Sequence, residues 1–167
     1  MIAVRADDLA FVVADAVARP VSADLRATTP LMRRLEQAGG EGLARQLQVS
    51  EPLEVGSAVV TGAGALAAEL LIHAVVSSET EAVSRTSVRR ATLSAMQRAA
   101  DWRLAHVAMA PFGLGAGNLD AEESAEVMVE VLARHLSAAT YPATVTIVVE
   151  TDDEADAFAR RIARAMQ

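Results

Sequence analysis

The chain has 167 residues, a length typical of one domain that buries about 70% of the surface of its unfolded chain. It contains no cysteine and no lysine, which excludes disulfides, thiolate metal sites, Schiff-base chemistry and the lysine of a phosphate-binding P-loop. A net charge of −7 argues against general nucleic-acid binding, because that needs a contiguous cationic surface. No segment predicts a signal peptide or a membrane span, so we expect a cytoplasmic protein without a membrane partner, metal or cofactor.

Short apolar runs alternate with amphipathic helical segments, which predicts an α/β fold with a largely parallel sheet. The helix starts follow from capping signals, namely Pro30 after Thr29 and the capping-box pairs that begin at Asp120 and Thr151. The glycines at 39–40 predict where the first helix ends. In chain order we predict strands at 2–5 and 11–18, a helix at 30–39, strands at 57–61 and 70–76, a helix at 83–100, a strand at 105–110, a helix from 121, a strand at 143–149, and a C-terminal helix after Thr151.

The glycine-rich run from Pro111 to Asp120 joins a predicted buried strand to a capped helix. Its glycines at 113, 115 and 117 permit close backbone approach to a ligand, and the following helix adds its positive dipole end. Ligands bind at this end of the strands in open α/β sheets, so the run is typical of a site for an anion such as pyrophosphate. The spacing differs from Gly-x-Gly-x-x-Gly, and a purely structural turn is the alternative.

Three stretches, Gly56 to Leu66, Leu71 to Val75 and Pro111 to Asp120, together with the helix from Val83, resemble the macrodomain family. The amino terminus from Ile2 to Leu25 aligns without a gap. The resemblance implies a single domain over residues 1–167, built as a three-layer α/β/α sandwich with a mixed sheet of about six strands. It also implies binding of ADP-ribose or a related nucleotide, and some members of the family hydrolyse ADP-ribosyl derivatives.

The resemblance further implies which residues contact the ligand. Asp8 matches the aspartate that accepts a hydrogen bond from the adenine amino group, although a turn residue beside Asp7 is the alternative. The glycine-rich run matches the loop around the diphosphate and distal ribose. The implied ligand-binding residues are Asp8, Leu9, Ser22, Gly113, Leu114, Gly115, Ala116, Gly117 and Asn118.

The chain departs from the family pattern at several of these positions. Residues 19–22 read Arg-Pro-Val-Ser where catalytically competent members have Asn-Ala-Ala-Asn, and residues 26–29 replace a glycine-rich loop. Leu114 stands where a serine or threonine is common. No aromatic follows the last predicted strand to stack on adenine, and Trp102 and Tyr141 are the candidates for a replacement. We therefore predict a degenerate member that binds its nucleotide with little or no catalysis.

Two alternatives stay open. The first is a hydrolase of ADP-ribosyl esters or O-acetyl-ADP-ribose, with Arg19, Ser22 and Asp24 as candidate catalytic residues that position water or polarise the ligand. The second is a non-nucleotide partner-binding module whose cleft is filled by Arg19 paired with Asp8, Asp15 or Asp24. An Arg19 that points into an open cleft would instead favour phosphate binding.

Overall fold

The computed structural model describes residues 1–115 and 118–167 and places a six-stranded sheet between helices on both of its faces. This confirms the predicted α/β fold with a mixed sheet of about six strands. The elements in chain order are β1 (Ile2–Ala6), β2 (Ala16–Ser22), α1 (Pro30–Ala44), β3 (Ala58–Gly62), β4 (Leu70–Ser77), α2 (Arg85–Asp101), β5 (His106–Met109), α3 (Ala121–Ala138), β6 (Thr144–Val149) and α4 (Asp152–Ala165). Among these described residues, no helix is long and apolar enough to cross a bilayer.

The strands run in the order β1-β6-β5-β2-β4-β3, and all neighbours are parallel except β3 and β4. The carboxyl ends of the parallel strands therefore meet at one edge of the sheet, which we call the carboxyl edge. This edge is where open α/β sheets place their ligands. It contains the ends of β1, β6, β5, β2 and β4.

Successive side chains of β2 point to opposite faces of the sheet, where they join two separate parts of the core. Val17 packs with Met32 and Leu35 of α1, whereas Ala16 and Ala18 face the side that α2, α3 and α4 cover. The interior of that second side is rich in alanine, and α2 contributes fully buried alanines at four-residue spacing. Small side chains let a helix pack close to a sheet, so the alanine-rich composition reflects tight layering. These α2 residues are Ala91, Ala95 and Ala99.

The predicted helix caps form as hydrogen bonds. The Asp120 carboxylate accepts from the Glu123 amide at 2.8 Å, and the Glu123 carboxylate accepts from the Asp120 amide at 3.3 Å, so α3 begins at Ala121 as predicted. Thr151 caps α4 by accepting from the Glu154 amide at 3.2 Å. The Glu154 carboxylate accepts from the Glu150 amide, so this cap lacks the reciprocal bond.

The prediction of a strand at 11–18 was wrong over its first half. Leu9–Phe11 form a 3-10 turn, and β2 begins only at Ala16. This segment must cross two strands, because β1 and β2 are separated by β6 and β5 in the sheet. Leu9 and Val12 pack beside α1 during the crossing. The apolar character that predicted a strand therefore arises from a packed connection.

The predicted end of the first helix at 39–40 is confirmed, because the backbone leaves the helical conformation there. Gly40 adopts φ 68° and ψ −163° and interrupts α1, but the helix resumes and continues to Ala44. Leu43, in the resumed turn, is fully buried in the α1 side of the core. Burial of this side chain stabilises the second helical segment after the glycine has broken the first.

Candidate functional site

Two adjoining cavities lie along the carboxyl edge, between α1 and the ends of β5 and β6. The first, of about 440 Å³, extends to Asp8 and is called the Asp8 cavity. The second, of about 260 Å³, extends to Gly115 and is called the Gly115 cavity. Together they form the cleft, whose volume and mainly apolar walls suit a small molecule. The two cavities share Leu31, Met32, Arg34, Ala110, Val148 and Glu150.

Asp8 and Leu9 lie at the predicted end of this cleft, where β1 gives way to the 3-10 turn. One Asp8 carboxylate oxygen, Oδ1, accepts a hydrogen bond from the Ala10 amide at 3.0 Å and caps the turn. Because a carboxylate has a second oxygen and Asp8 is exposed, the capping role leaves an acceptor for a ligand. The structural and ligand-binding interpretations of Asp8 are therefore compatible.

Phe11 is a cleft residue that sequence reasoning missed. Its side chain is 73% exposed and lines the Asp8 cavity three residues after Asp8. The two aromatic residues considered as a replacement for the adenine stack lie elsewhere. Trp102 follows α2 and Tyr141 precedes β6, which places both at the opposite edge of the sheet. Phe11 begins the predicted apolar strand at 11–18, so nothing in the local pattern of residues indicated that its ring is exposed.

The glycine-rich loop borders the Gly115 cavity, and two of its glycines have conformations that disfavour any side chain. Gly113 has φ 91°, and an added Cβ would lie 2.7 Å from Cδ1 of Leu119. Gly115 has φ 77°, and an added Cβ would lie 2.8 Å from Cγ2 of Thr29. Leu114 and Gly115 line the cavity. Because Gly115 lies against Thr29, the loop packs closely against the start of α1.

Asn118, in the same loop, has a structural contact and does not line the Gly115 cavity. The Asn118 side-chain amide donates to the Val83 carbonyl oxygen at 2.6 Å, which ties the loop to the segment before α2. Ala116 and Gly117 lie outside the described residues. Among the predicted diphosphate residues, the described side of the cleft therefore presents Leu114 and Gly115 directly.

Arg19 lies fully buried beneath α1, outside the cleft. Its guanidinium forms an ion pair with Glu36 and donates from Nη2 to the Leu25 carbonyl oxygen at 3.1 Å. Its Nε donates to Nδ1 of His73 at 2.9 Å. Burial lowers the pKa of Arg19, and Glu36 opposes that effect. Burial, followed by the charge of Arg19, also lowers the pKa of His73 to about 3, so this imidazole is neutral near pH 7.

The alternative in which Arg19 pairs with Asp8, Asp15 or Asp24 named the wrong partner. Odd-numbered residues of β2 face α1, and Glu36 of that helix meets the guanidinium there. Asp15 lies at the opposite edge of the sheet, where its Oδ2 accepts from the amides of residues 105 and 106 at 2.9 Å each. Arg19 therefore leaves the cleft open.

Ser22 and Asp24 line a separate cavity of about 640 Å³ at the ends of β2 and β4. The Ser22 hydroxyl donates to an Asp24 carboxylate oxygen, and this hydrogen bond lowers the pKa of Asp24. Arg26 Nε lies 2.9 Å from the other Asp24 oxygen. The structure thus disperses the three candidate catalytic residues: Arg19 is in the core, and Ser22 and Asp24 line a cavity whose walls include none of the cleft residues.

Comparison with known proteins agrees with this architecture. A family model described as Macro domain matches residues 21–128. The chain belongs to this family. An uncharacterized protein of Mycobacterium tuberculosis is 28% identical to this macrodomain over 121 residues, which are 72% of this chain and 34% of the relative. One from Aeropyrum pernix is 30% identical over 126 residues, 75% of this chain and 67% of the relative. The macrodomain thus spans about a third of the length of the mycobacterial relative.

Solved macrodomains share the fold of this chain at low sequence identity. A point mutant of the Oceanobacillus iheyensis macrodomain, solved with ADPR, superposes with a TM-score of 0.87 at 13% identity and covers 98% of this chain and 92% of its own. The macrodomain of the same organism with ADP gives 0.87 at 13% identity, with 98% and 90% covered. The macro domain of ganglioside induced differentiation associated protein 2 gives 0.85 at 17% identity, with 98% and 83% covered.

Proposed function

We propose that this macrodomain binds ADP-ribose or a related nucleotide in the cleft, with little or no catalysis. The observation that carries the proposal is the adjacency of the Asp8 and Gly115 cavities, which share one wall of α1. A ligand with a base at one end and a diphosphate at the other would span both cavities. The structurally similar macrodomain from Oceanobacillus iheyensis was solved with ADPR and with ADP, which supports the same ligand class.

The Asp8 cavity would hold the adenine. The Asp8 carboxylate can accept from the exocyclic amino group, and Phe11 offers an exposed aromatic face in the same cavity. Val148, at the end of β6, adds an apolar wall beneath a flat ring. These three residues supply the polar contact and the apolar surface that adenine requires.

The Gly115 cavity would hold the diphosphate. Pro30 has no N–H, and the amides of Met32 and Arg33 donate to the side chain and carbonyl of Thr29. Among the residues described, the Leu31 amide is therefore the first-turn donor of α1 without a protein partner. Leu31 lines the same cavity as Gly115, so backbone donors and the helix dipole would meet the phosphates there.

The positions of the candidate catalytic residues support binding over hydrolysis. The guanidinium of Arg19 is engaged by Glu36, His73 and Leu25, and Ser22 and Asp24 line the other cavity. A general base must be within hydrogen-bond reach of the water it activates. None of these three residues borders the cleft in which the ligand would lie.

Calorimetric titration with ADP-ribose, accompanied by thermal unfolding, tests the binding proposal. At a ligand concentration of about 100 times Kd, binding raises the free energy of unfolding by about 2.7 kcal/mol, or roughly 5–10 °C in Tm. Asp8→Ala should weaken binding, whereas Asp101→Ala, at the end of α2 and far from the carboxyl edge, should not. Absence of heat and of any Tm shift at millimolar ADP-ribose would contradict the proposal.

Release of product from an ADP-ribosyl ester tests the proposal that the protein has little or no catalytic activity. We expect hydrolysis no faster than in the absence of protein. Turnover that is abolished by Gly115→Glu, which blocks the Gly115 cavity, and retained by Asp101→Ala would establish an enzyme and overturn the assignment of little or no catalysis.

A further inference from the structure

More acidic than basic side chains line the described part of the cleft. Asp7 and Asp8 border the Asp8 cavity, Glu154 borders the Gly115 cavity, and Glu150 borders both. Against these four carboxylates, Arg34 is the cationic side chain that lines the cleft within residues 1–115 and 118–167. A doubly charged anion that enters the cleft therefore meets a negative surface unless Arg34 turns toward it.

Arg34 forms an ion pair across the cleft. Its Nη2 lies 3.3 Å from Oε1 of Glu150, so the pair links α1 to the chain that leaves β6, where the two cavities join. The two side chains are 66% and 50% exposed. An exposed pair of this kind is worth about 0–1 kcal/mol, so it exchanges partners readily.

A diphosphate is a stronger partner for Arg34 than Glu150 is. Guanidinium donors match phosphate oxygens in a bidentate geometry, and the diphosphate carries more charge than one carboxylate. Arg34 follows the first turn of α1 and already lines the Gly115 cavity, so it reaches this ligand without any change in the backbone. Glu150 is then left to the solvent.

We propose that Arg34 is the phosphate-selecting residue of the cleft and that Glu150 is its internal competitor. Glu150 pairs with Arg34, and a nucleotide with two phosphates displaces Glu150 from the guanidinium. A nucleoside without phosphate leaves the pair intact and gains nothing from Arg34. This inference rests on the proposed nucleotide-binding function and adds the residue that makes the cleft selective for phosphorylated ligands.

Calorimetric titrations with ADP-ribose, ADP and adenosine test the inference on wild-type protein and on Arg34→Met, Glu150→Gln and the double variant. We expect Arg34→Met to weaken ADP-ribose and ADP by about tenfold or more, with adenosine unchanged within about twofold. Glu150→Gln should strengthen ADP-ribose several-fold, and most of that gain should vanish when Arg34→Met is also present. The salt dependence of ADP-ribose binding should also be weaker in Arg34→Met.

Arg33→Met is the matched control, because Arg33 is exposed on the same helix and lines neither cavity. It makes the same change in net charge and should leave all three affinities near wild type. Equal losses in Arg33→Met and Arg34→Met, or equal losses for ADP-ribose and adenosine, would overturn the role of Arg34 while leaving nucleotide binding intact. A wild-type protein that binds none of the three ligands would instead refute the proposed function, and the selectivity with it.

Discussion

Arg19 and His73 occupy paired positions on the neighbouring strands β2 and β4, and Nε of the guanidinium donates to Nδ1 of the imidazole at 2.9 Å. This bond fixes the tautomer, since Nδ1 must accept and the proton therefore lies on Nε2. Nε2 in turn lies 2.8 Å from Oγ1 of Thr61, which donates to the carbonyl oxygen of Gly62. A hydrogen-bonded chain thus runs from Glu36 through Arg19 to the edge strand β3.

We expect the Arg19–Glu36 pair to be strongly coupled. Loss of one partner from a buried ion pair typically costs about 3–5 kcal/mol, and partial exposure of Glu36 places its removal at the lower end. Arg19→Met and Glu36→Leu should each lower the free energy of unfolding, and the double variant should lose about 1–3 kcal/mol less than the sum. Chemical denaturation of the four proteins gives this coupling energy. Simple additivity would show that the two side chains stabilise the fold independently.

His73 makes the stability depend on pH in a definite direction. Its pKa is about 3 in the folded protein, below the ordinary value of 6.5, so the unfolded chain binds more protons between these values. The stability from this neutral imidazole is complete above about pH 6.5 and falls as the pH drops toward 3, by at most about 1.4 kcal/mol per pH unit. Urea denaturation between about pH 7 and pH 5 measures this slope.

The control for that slope is a pair of matched variants. His73→Gln should flatten the dependence of stability on pH, and His106→Gln should preserve it, because His106 begins β5 and lies outside this chain of hydrogen bonds. If His73→Gln does not fold, an NMR titration of the wild-type imidazole answers the same question. Protonation of His73 near its ordinary pKa would contradict the burial argument.

Phe11 should contribute to nucleotide affinity without contributing to stability. Replacement by alanine removes an exposed ring from the Asp8 cavity, and loss of one base-aromatic stack of about 1–3 kcal/mol weakens binding by roughly 5- to 150-fold. Trp102→Ala is the aromatic control, since Trp102 is 54% exposed at the opposite edge of the sheet. Calorimetry with adenosine and ADP-ribose measures both variants. Equal affinities for Phe11→Ala and wild type would remove Phe11 from the site.

Gly115→Ala should weaken ADP-ribose binding because its Cβ would meet the Thr29 methyl group at 2.8 Å and displace the loop. Loss of one hydrogen bond to a charged phosphate corresponds to about tenfold or more in affinity. Thr29→Ser removes the methyl group and keeps the hydroxyl that caps α1, so it should restore part of the affinity. Gly40→Ala is the control, since Gly40 has a similar φ of 68° with nothing within 4 Å of the added Cβ.

The Gly40 control separates backbone strain from the clash. Both alanine variants place a side chain at positive φ, which costs roughly 1–3 kcal/mol of stability. Only Gly115→Ala should change Kd in an ADP-ribose titration. If the two variants bind alike, the close approach of the loop to α1 has no part in ligand binding.

Features encoded by near neighbours in the chain were predictable. The carboxylate of Asp120 and its partner three residues later specified where α3 begins, because a cap depends on one turn of backbone. Gly113 and Gly115 of the loop after β5 could be recognised for the same reason, since their positive φ is a local property. The segment at 11–18 could not be predicted, because its apolar residues serve a connection across two strands instead of a strand.

The sequence by itself determined the family, the order of the elements and the loop that borders the cleft. Only the tertiary structure decided which side chains meet. The alternation of side chains along β2 points Arg19 toward Glu36 of α1. The connection from β1 to β2 places Phe11 in the Asp8 cavity. Arg34 and Glu150 are 116 residues apart and meet only because α1 packs over the end of β6. Such contacts depend on strand order and helix placement, which no local pattern of residues specifies.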